Sequence, residues 1–256
     1  MEVLVVIPAR NASTRFPGKP LAELTARDGT RRPLVEWTWR AGCAAAGPSK
    51  VVVATDSEAI AERVESFGGR AMMTSPDLRN GTERCAAVLE SLQSHPDVVI
   101  NLQGDSPLVP PNMIRTLVDR FSDPQVSVAT PCVVSDQATT ARILGDAREG
   151  RVGGTCVVTG ADGRALYFSK QAIPHGAGPG APLKLHLGVY AYRPAALRAY
   201  ALWPPSPLEL AEGLEQLRFL AAGWPVHVVE AELPPGGIWE VNNPPDVALV
   251  EPLLPV

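Results

Sequence analysis

No run of apolar residues in the 256-residue chain approaches the roughly twenty needed to span a bilayer, so no membrane helix is predicted. The N-terminus lacks the charged-then-apolar pattern of a secretory signal and enters a strand at once, which predicts a cytoplasmic protein. Cysteine is scarce. Cys43, Cys85, Cys132 and Cys156 are widely spaced and form no C-x-x-C pair, so they read as small apolar residues, not as a disulfide or zinc framework. Lysine is scarcer than arginine: Lys19, Lys50, Lys170 and Lys184 are the only lysines among 23 basic residues. With abundant Ala, Pro and Gly, this points to a GC-rich genome. The formal net charge of −4 leaves no basic face for a nucleic acid, so a small anion held by local cations fits better than a polymer. A G-x-G-x-x-G run after the first strand is also missing, which argues against a dinucleotide oxidoreductase. No internal repeat or low-complexity tail is visible.

What is present is ordinary globular material, 45% apolar and 20% charged, enough for one substantial core. Val3–Ile7, an unbroken apolar run, and the apolar segments Val51–Ala54 and Val98–Leu102 read as buried parallel strands. Between them, residues 33–46, 57–67 and 82–93 carry apolar positions at helical spacing. Ser57, followed by Glu58 and Glu62, suits a helix start. This βαβαβ order predicts a right-handed, Rossmann-like half. In the second half, strands are predicted over Val126–Val134, Leu185–Tyr192 and Val226–Val229. A hairpin joins Val157–Thr159 to Ala165–Phe168 through the turn at 160–163. One amphipathic helix is predicted over 207–222, ended by Gly223, and a short helix near 244–251. The Gly/Pro-rich stretch His175–Pro182 reads as a loop or a dimer arm, from which His175 could visit a site.

The first strand leads into Pro8-Ala9-Arg10-Asn11-Ala12-Ser13-Thr14-Arg15-Phe16-Pro17-Gly18-Lys19. Arg10, Arg15 and Lys19 supply cations, Ser13 and Thr14 supply donors, and Gly18 permits close approach. Open α/β sheets bind ligands at the carboxyl ends of such strands, so this loop suits a polyphosphate. Asp105 follows Gly104 at the end of another buried run, and Mg²⁺ favours one or two carboxylates with phosphate oxygens. On residues alone, Asp105 is equally a turn-capping aspartate before a proline. Asn80-Gly81-Thr82-Glu83-Arg84 opens a helix; Thr82 and Arg84 could hold a base or ribose, or simply cap it. Ala54-Thr55-Asp56 is a similar case. His186 in an apolar strand also fits a core histidine. Glu212, Glu215 and Arg218 also fit a solvated helix face. Tyr190 and Tyr192 share a strand face, and the five tryptophans, Trp239 among them, read as core or interface.

The run Ile7-Pro8-Ala9-Arg10-x-x-Ser13-Thr14-Arg15-x-Pro17-Gly18-Lys19-Pro20-Leu21 resembles the signature of the 3-deoxy-manno-octulosonate (Kdo) cytidylyltransferases. The likeness continues through Ala54-Thr55-Asp56, Gly81-Thr82-Glu83-Arg84, Asn101-Leu102-Gln103-Gly104-Asp105, Ala165-Leu166-Tyr167-Phe168-Ser169, His186-Leu187-Gly188-Val189-Tyr190 and Glu215-Gln216-Leu217-Arg218. It implies an α/β, Rossmann-like nucleotidyltransferase fold, GT-A-like, with a mixed sheet flanked by helices. A single domain over 1–256 is implied, nucleotide-binding over 1–125 and acceptor-binding and dimerising over 126–256, with a dimerisation segment around 150–185. The implied reaction joins CMP from CTP to an acidic sugar and releases pyrophosphate, with Mg²⁺ as cofactor and a homodimer as the assembly. Ala9, Arg10, Ser13, Arg15, Lys19, Thr55, Asp56, Gly81, Thr82, Arg84 and Gln103 would bind the nucleotide. Arg10, Lys19 and Asp105 would be catalytic, and Asp105 and Asn242 would hold the metal. Lys170, His186, Tyr190, Glu215, Gln216 and Arg218 would border the acceptor.

The match breaks at four places. The family's Val-Asp-Thr-Pro-Glu-Asp, whose first Asp is a metal ligand, is here Val241-Asn242-Asn243-Pro244-Pro245-Asp246. Its Gly-Asp-Glu-Pro is Gly104-Asp105-Ser106-Pro107, its Tyr-Phe-Ser-Arg is Tyr167-Phe168-Ser169-Lys170, and a lysine before the central hairpin is Cys156. Lys170 cannot make the planar fork that arginine offers a carboxylate. These changes leave the nucleotide half intact and alter the acceptor half. GC-rich actinomycetes lack the lipopolysaccharide that contains Kdo. Relatives in antibiotic pathways transfer CMP to phosphonates of the phosphonoformate type, so a phosphonate acceptor is an alternative. A CTP-binding protein without catalysis is a second alternative, supported by Asn242. A GT-A glycosyltransferase would want a D-x-D motif where Gln103-Gly104-Asp105 supplies one carboxylate.

Overall fold

The computed structural model describes residues 1–11, 15–178, 181–232, 237 and 240–255. Ser13, Thr14 and Trp239 lie outside the described residues. The elements run β1 (Val3–Ala9), β2 (Glu23–Thr25), β3 (Arg31–Pro33), α1 (Leu34–Ala46), β4 (Val51–Thr55), α2 (Glu58–Ser66), β5 (Arg70–Met73), α3 (Gly81–Glu90), β6 (Val98–Leu102), α4 (Pro111–Asp119), β7 (Val128–Val134) and α5 (Gln137–Arg148). They continue through β8 (Cys156–Thr159), β9 (Ala165–Ser169), β10 (Lys184–His186), β11 (Val189–Tyr192), α6 (Pro194–Leu202), α7 (Pro207–Glu212), α8 (Leu217–Ala221), β12 (His227–Glu230) and α9 (Val247–Val250).

The main sheet has the order β5-β4-β1-β6-β11-β7-β10-β8-β9, with β12 on the other edge of β7. β5, β4, β1 and β6 are mutually parallel. β11 turns back antiparallel, with Val189 opposite Leu102. The three central parallel strands, β4, β1 and β6, are apolar except for Thr55 and Asn101, because helices cover both faces. On one face α1, α2 and α4 bring Val35, Trp39, Ile60, Val64, Met113 and Leu117 against Val5, Ile7, Val53 and Ile100. On the other, α3, α6 and α8 bring Cys85, Leu89, Leu197 and Phe219 against Val6, Val52 and Val99. Each such aliphatic side chain removed from water contributes about 1.5–3 kcal/mol, which fixes the strand order on which the site depends.

The expected mixed α/β sheet and the hairpin over β8 and β9 are present. Two predicted elements differ. The single helix over 207–222 is two helices. α7 is started by a Ser206–Glu209 capping box and stopped at Gly213, whose φ of 61° is left-handed. Apolar periodicity continues through that break and conceals it. The strand over 185–192 is likewise divided. β10 pairs with β7 and β8, whereas β11 pairs with β6 and the start of β7, and the chain bends at Leu187 and Gly188. The β2–β3 hairpin and α5 carried no strong periodicity and were not foreseen.

Candidate active site

Because β1, β4 and β6 are parallel, their carboxyl ends open on one side of the sheet, and antiparallel β11 begins there. Ala9-Arg10, Thr55-Asp56, Gln103-Gly104-Asp105 and Gly188 are therefore neighbours by topology. Gly104 shows how closely they pack. A Cβ built on it would lie 2.6 Å from the Pro8 carbonyl oxygen, so only glycine lets the turn after β6 lie against the end of β1.

Lys19 crosses this opening. It starts a 3₁₀ turn after Gly18, and its Nζ donates to Asp105 Oδ2 at 2.6 Å. Arg10 and Arg15 are exposed on the same loop. Asp56 accepts from Asn11 N at 2.9 Å and from the Arg84 guanidinium at 2.6 Å, tying that loop to the ends of β4 and α3. Arg84 also donates to Thr74 Oγ1 at 2.5 Å and is only 2% exposed, so it braces the pocket from inside. Thr55 is buried; its carbonyl accepts from Thr74 N at 2.8 Å and its hydroxyl from Ser57 N at 3.2 Å.

The N-terminus of α3 is capped by Asn80, whose side chain accepts from Glu83 N at 2.9 Å. Thr82 N donates to Glu215 Oε2 at 3.0 Å, and Gln103 Nε2 donates to Glu215 Oε1 at 3.2 Å. Glu215 thus closes the free end of α3 and orients Gln103. Burial raises its carboxyl above the ordinary value. The Thr82 hydroxyl is engaged with Tyr192 at 2.8 Å.

On the far wall, His186 Nε2 lies 2.9 Å from Thr130 Oγ1, and its ring meets Phe168 edge-on at 5.1 Å and Tyr190 at 5.3 Å. Burial lowers its pKa to about 3, so the imidazole is neutral near pH 7. The Tyr190 hydroxyl donates to Gln216 Oε1 at 3.1 Å, which leaves the buried Gln216 Nε2 without a partner among the described residues. Lys170 is half-buried at the end of β9, its backbone N–H held by Glu212 Oε2 at 2.9 Å.

Arg218, expected to border the acceptor, is held by partners inside the fold. It is 2% exposed, forks onto Glu209 with two 2.6 Å bonds, donates to Glu83 at 3.0 Å and lies 4.0 Å over the Tyr200 ring. With every carboxylate partner internal, it locks α8 to α3 behind the pocket.

Asn242 is carried to Asp105 by the backbone, since Val241 N donates to Asp105 O at 2.9 Å. The Asn242 carboxamide donates to Glu240 Oε2 at 3.3 Å, and its backbone N–H donates to Asp246 Oδ2 at 2.8 Å. Among the described residues no three His, Cys, Asp or Glu side chains gather as a ready metal cage. The oxygens at this end still suit a hard cation that takes further ligands from phosphates, and the Lys19 ammonium already stands beside Asp105 as a cationic surrogate. Glu240 drew no attention in the sequence. The signal was a carboxylate two residues before Asn242, on the same side of an extended segment.

Residues 4–230 match the family described as Cytidylyltransferase. The 3-deoxy-manno-octulosonate cytidylyltransferase of Maricaulis maris is 43% identical over 257 residues, covering 99% of this chain and 97% of that one. The protein of the same name from Aliivibrio fischeri is 39% identical over 264 residues, covering 99% of both. A solved CMP:2-keto-3-deoxy-manno-octonic acid synthetase complexed with CTP superposes with a TM-score of 0.84 at 33% identity, covering 98% of this chain and 97% of that one. A cytidylyltransferase from Leptospira borgpetersenii, at 17% identity and a TM-score of 0.54, shares the fold.

Proposed function

Since this chain belongs to the 3-deoxy-manno-octulosonate cytidylyltransferases, a family of nucleotidyltransferases, we propose that it transfers CMP from CTP to a Kdo-type sugar acid in a Mg²⁺-dependent reaction. An acceptor oxygen attacks the α-phosphorus and pyrophosphate departs. The observation that carries this reading is the Lys19–Asp105 contact, which brings a cation from the loop after β1 and a carboxylate from the turn after β6 to one point.

Arg10, Arg15 and Lys19, with Ser13, bind the triphosphate and offset the charge that develops on the leaving pyrophosphate. The turns carrying Thr55, Asp56, Gly81, Thr82 and Arg84 shape the nucleoside pocket, and Gln103, oriented by Glu215, faces it. Asp105 and the amide oxygen of Asn242 would hold Mg²⁺, which would neutralise phosphate charge when bound. Lys170, His186, Tyr190, Glu215 and Gln216 border the acceptor; neutral His186 is suited to hydrogen bonding rather than to charge pairing. Arg218 acts through position. We also infer a homodimer formed through residues 150–185, where Val152 and Leu166 are exposed.

The test is incubation with CTP, Mg²⁺ and a panel of acids including Kdo and phosphonoformate, scored by pyrophosphate release. Turnover with Kdo is expected. Turnover with phosphonates alone would replace the acceptor, as Asn242 and Lys170 would then suggest. Tight CTP binding with no turnover on any acid would favour a binding protein. Light scattering after gel filtration reads the dimer.

A further inference from the structure

We propose that Glu240 supplies the second carboxylate of the divalent-cation site, in place of the aspartate that position 242 lacks. The proposal rests on the metal-dependent reading above. Its ground is geometric. The Val241 N–H bond to Asp105 O fixes the segment against the turn after β6, so both residues flanking Val241 lie beside Asp105. Glu240 Oε1 lies 3.1 Å from where a Cβ on Gly188 would stand, and that point is 3.7 Å from Gln103 Cγ. The carboxylate therefore faces the open end of β6 and β11. A side chain at position 188 would crowd it.

The electrostatics agree. The Lys19 ammonium, 2.6 Å from Asp105 Oδ2, is the cation bonded to that carboxylate at this end of the sheet. Among the described residues Glu240 has no ion pair of its own; its carboxylate accepts from the Asn242 carboxamide at 3.3 Å and from the Gly188 backbone N–H. Two carboxylates thus stand at this end with one bonded ammonium, on Asp105. When Lys19 turns to a triphosphate, Asp105 loses its counter-charge, and a half-buried pair of carboxylates is costly without one. A hard divalent ion bound by two carboxylates and phosphate oxygens meets that need. The Asn242 amide then serves to orient Glu240.

The test is calorimetric CTP binding in EDTA and in Mg²⁺, for the wild type and for Glu240→Gln, Asp105→Asn and Glu240→Gln/Asn242→Asp. The readout is the factor by which Mg²⁺ tightens CTP, with thermal melting as the fold control. Glu240→Gln should bind CTP in EDTA at least as well as the wild type, yet lose on the order of tenfold or more of the Mg²⁺ gain. The double variant should recover that gain, because it returns a carboxylate to position 242. An undiminished Mg²⁺ gain in Glu240→Gln, with Asp105→Asn losing it, overturns the proposal and leaves the metal reading standing. An undiminished gain in Asp105→Asn, or none in the wild type, removes the metal reading and the proposal with it.

Discussion

The Lys19 ammonium and the Asp105 carboxylate meet at 2.6 Å across 86 residues of sequence. The contact closes the opening between the ends of β1 and β6 with one cation and one anion. Both side chains remain partly accessible, at 15% and 22%, so either can exchange its partner for a ligand. A pair this exposed contributes about 1 kcal/mol or less to stability. Its worth is in what it holds ready.

Asp105→Ala should therefore fold and fail to turn over. Pyrophosphate release is expected to fall by about a thousandfold or more, as when a group that stabilises developing charge is removed, while the melting temperature moves little. The backbone bond from Val241 N to Asp105 O survives the substitution, which keeps the 240–242 segment in place. Near-normal release would remove Asp105 from the chemistry.

Lys19→Ala should act on the other side of the same contact. Losing a charge-assisted bond to phosphate should weaken CTP binding by about tenfold, equivalent to roughly 1.4 kcal/mol. Calorimetry reads the affinity directly. Unchanged affinity and rate would show that Lys19 serves only as the partner of Asp105.

Gly104→Ala tests the packing that brings the turns together. The added methyl would lie 2.6 Å from a backbone carbonyl that cannot rotate away, so the turn carrying Asp105 must shift. Overpacking of this kind costs about 1–3 kcal/mol. The rate should fall much further than that stability loss implies, because the displaced residue is Asp105. Gly145→Ala, where nothing lies within 4 Å of the new methyl in α5, is the control and should stabilise by up to about 1 kcal/mol. Equal activity in both variants would contradict the close-approach argument.

The parallel half of the sheet was legible because its strands are buried on both faces and written as short runs rich in Val and Ile, a signal that needs no tertiary context. The basic loop was legible for the same reason: Arg10, Arg15 and Lys19 are close in sequence and follow a strand. What could not be read were the assignments made by pairing. Arg218 and Glu215 sit three residues apart, and nothing local separates the one forked onto Glu209 from the one closing α3. Gly213 was hidden because the apolar spacing on either side of it continues one helical phase. Glu240 was hidden because its role depends on a backbone bond to a turn more than a hundred residues away.

His186 should give the fold an acid sensitivity. Its folded pKa of about 3 lies below the unfolded value of 6.5, so between those pH values the unfolded chain binds the extra proton. Stability contributed by the neutral ring is present above pH 6.5 and is lost as pH falls through that window. The ring faces Thr130, Phe168 and Tyr190, none of which offers a carboxylate to hold the proton. His186→Gln should flatten the fall in urea midpoint between pH 7.5 and 4.5. Part of the slope should remain, since burial also lowers the pKa of His227. An identical slope in the variant would show that His186 does not report on folding.

Arg218→Lys separates bracing from ligand contact. The guanidinium fills a planar fork on Glu209, reaches Glu83 in the first turn of α3 and covers the Tyr200 ring; an ammonium can keep the charge but not these contacts together. Glu209 and Glu83 would be left underpaired in a buried setting, which should cost roughly 2–3 kcal/mol in urea unfolding, somewhat below the loss from removing a buried partner outright. Because α3 presents Thr82 N to Glu215, and Glu215 orients Gln103, the rate should drop while the KM for the acceptor changes little. A large rise in acceptor KM with an unchanged unfolding midpoint would instead place the Arg218 guanidinium on the acceptor carboxylate.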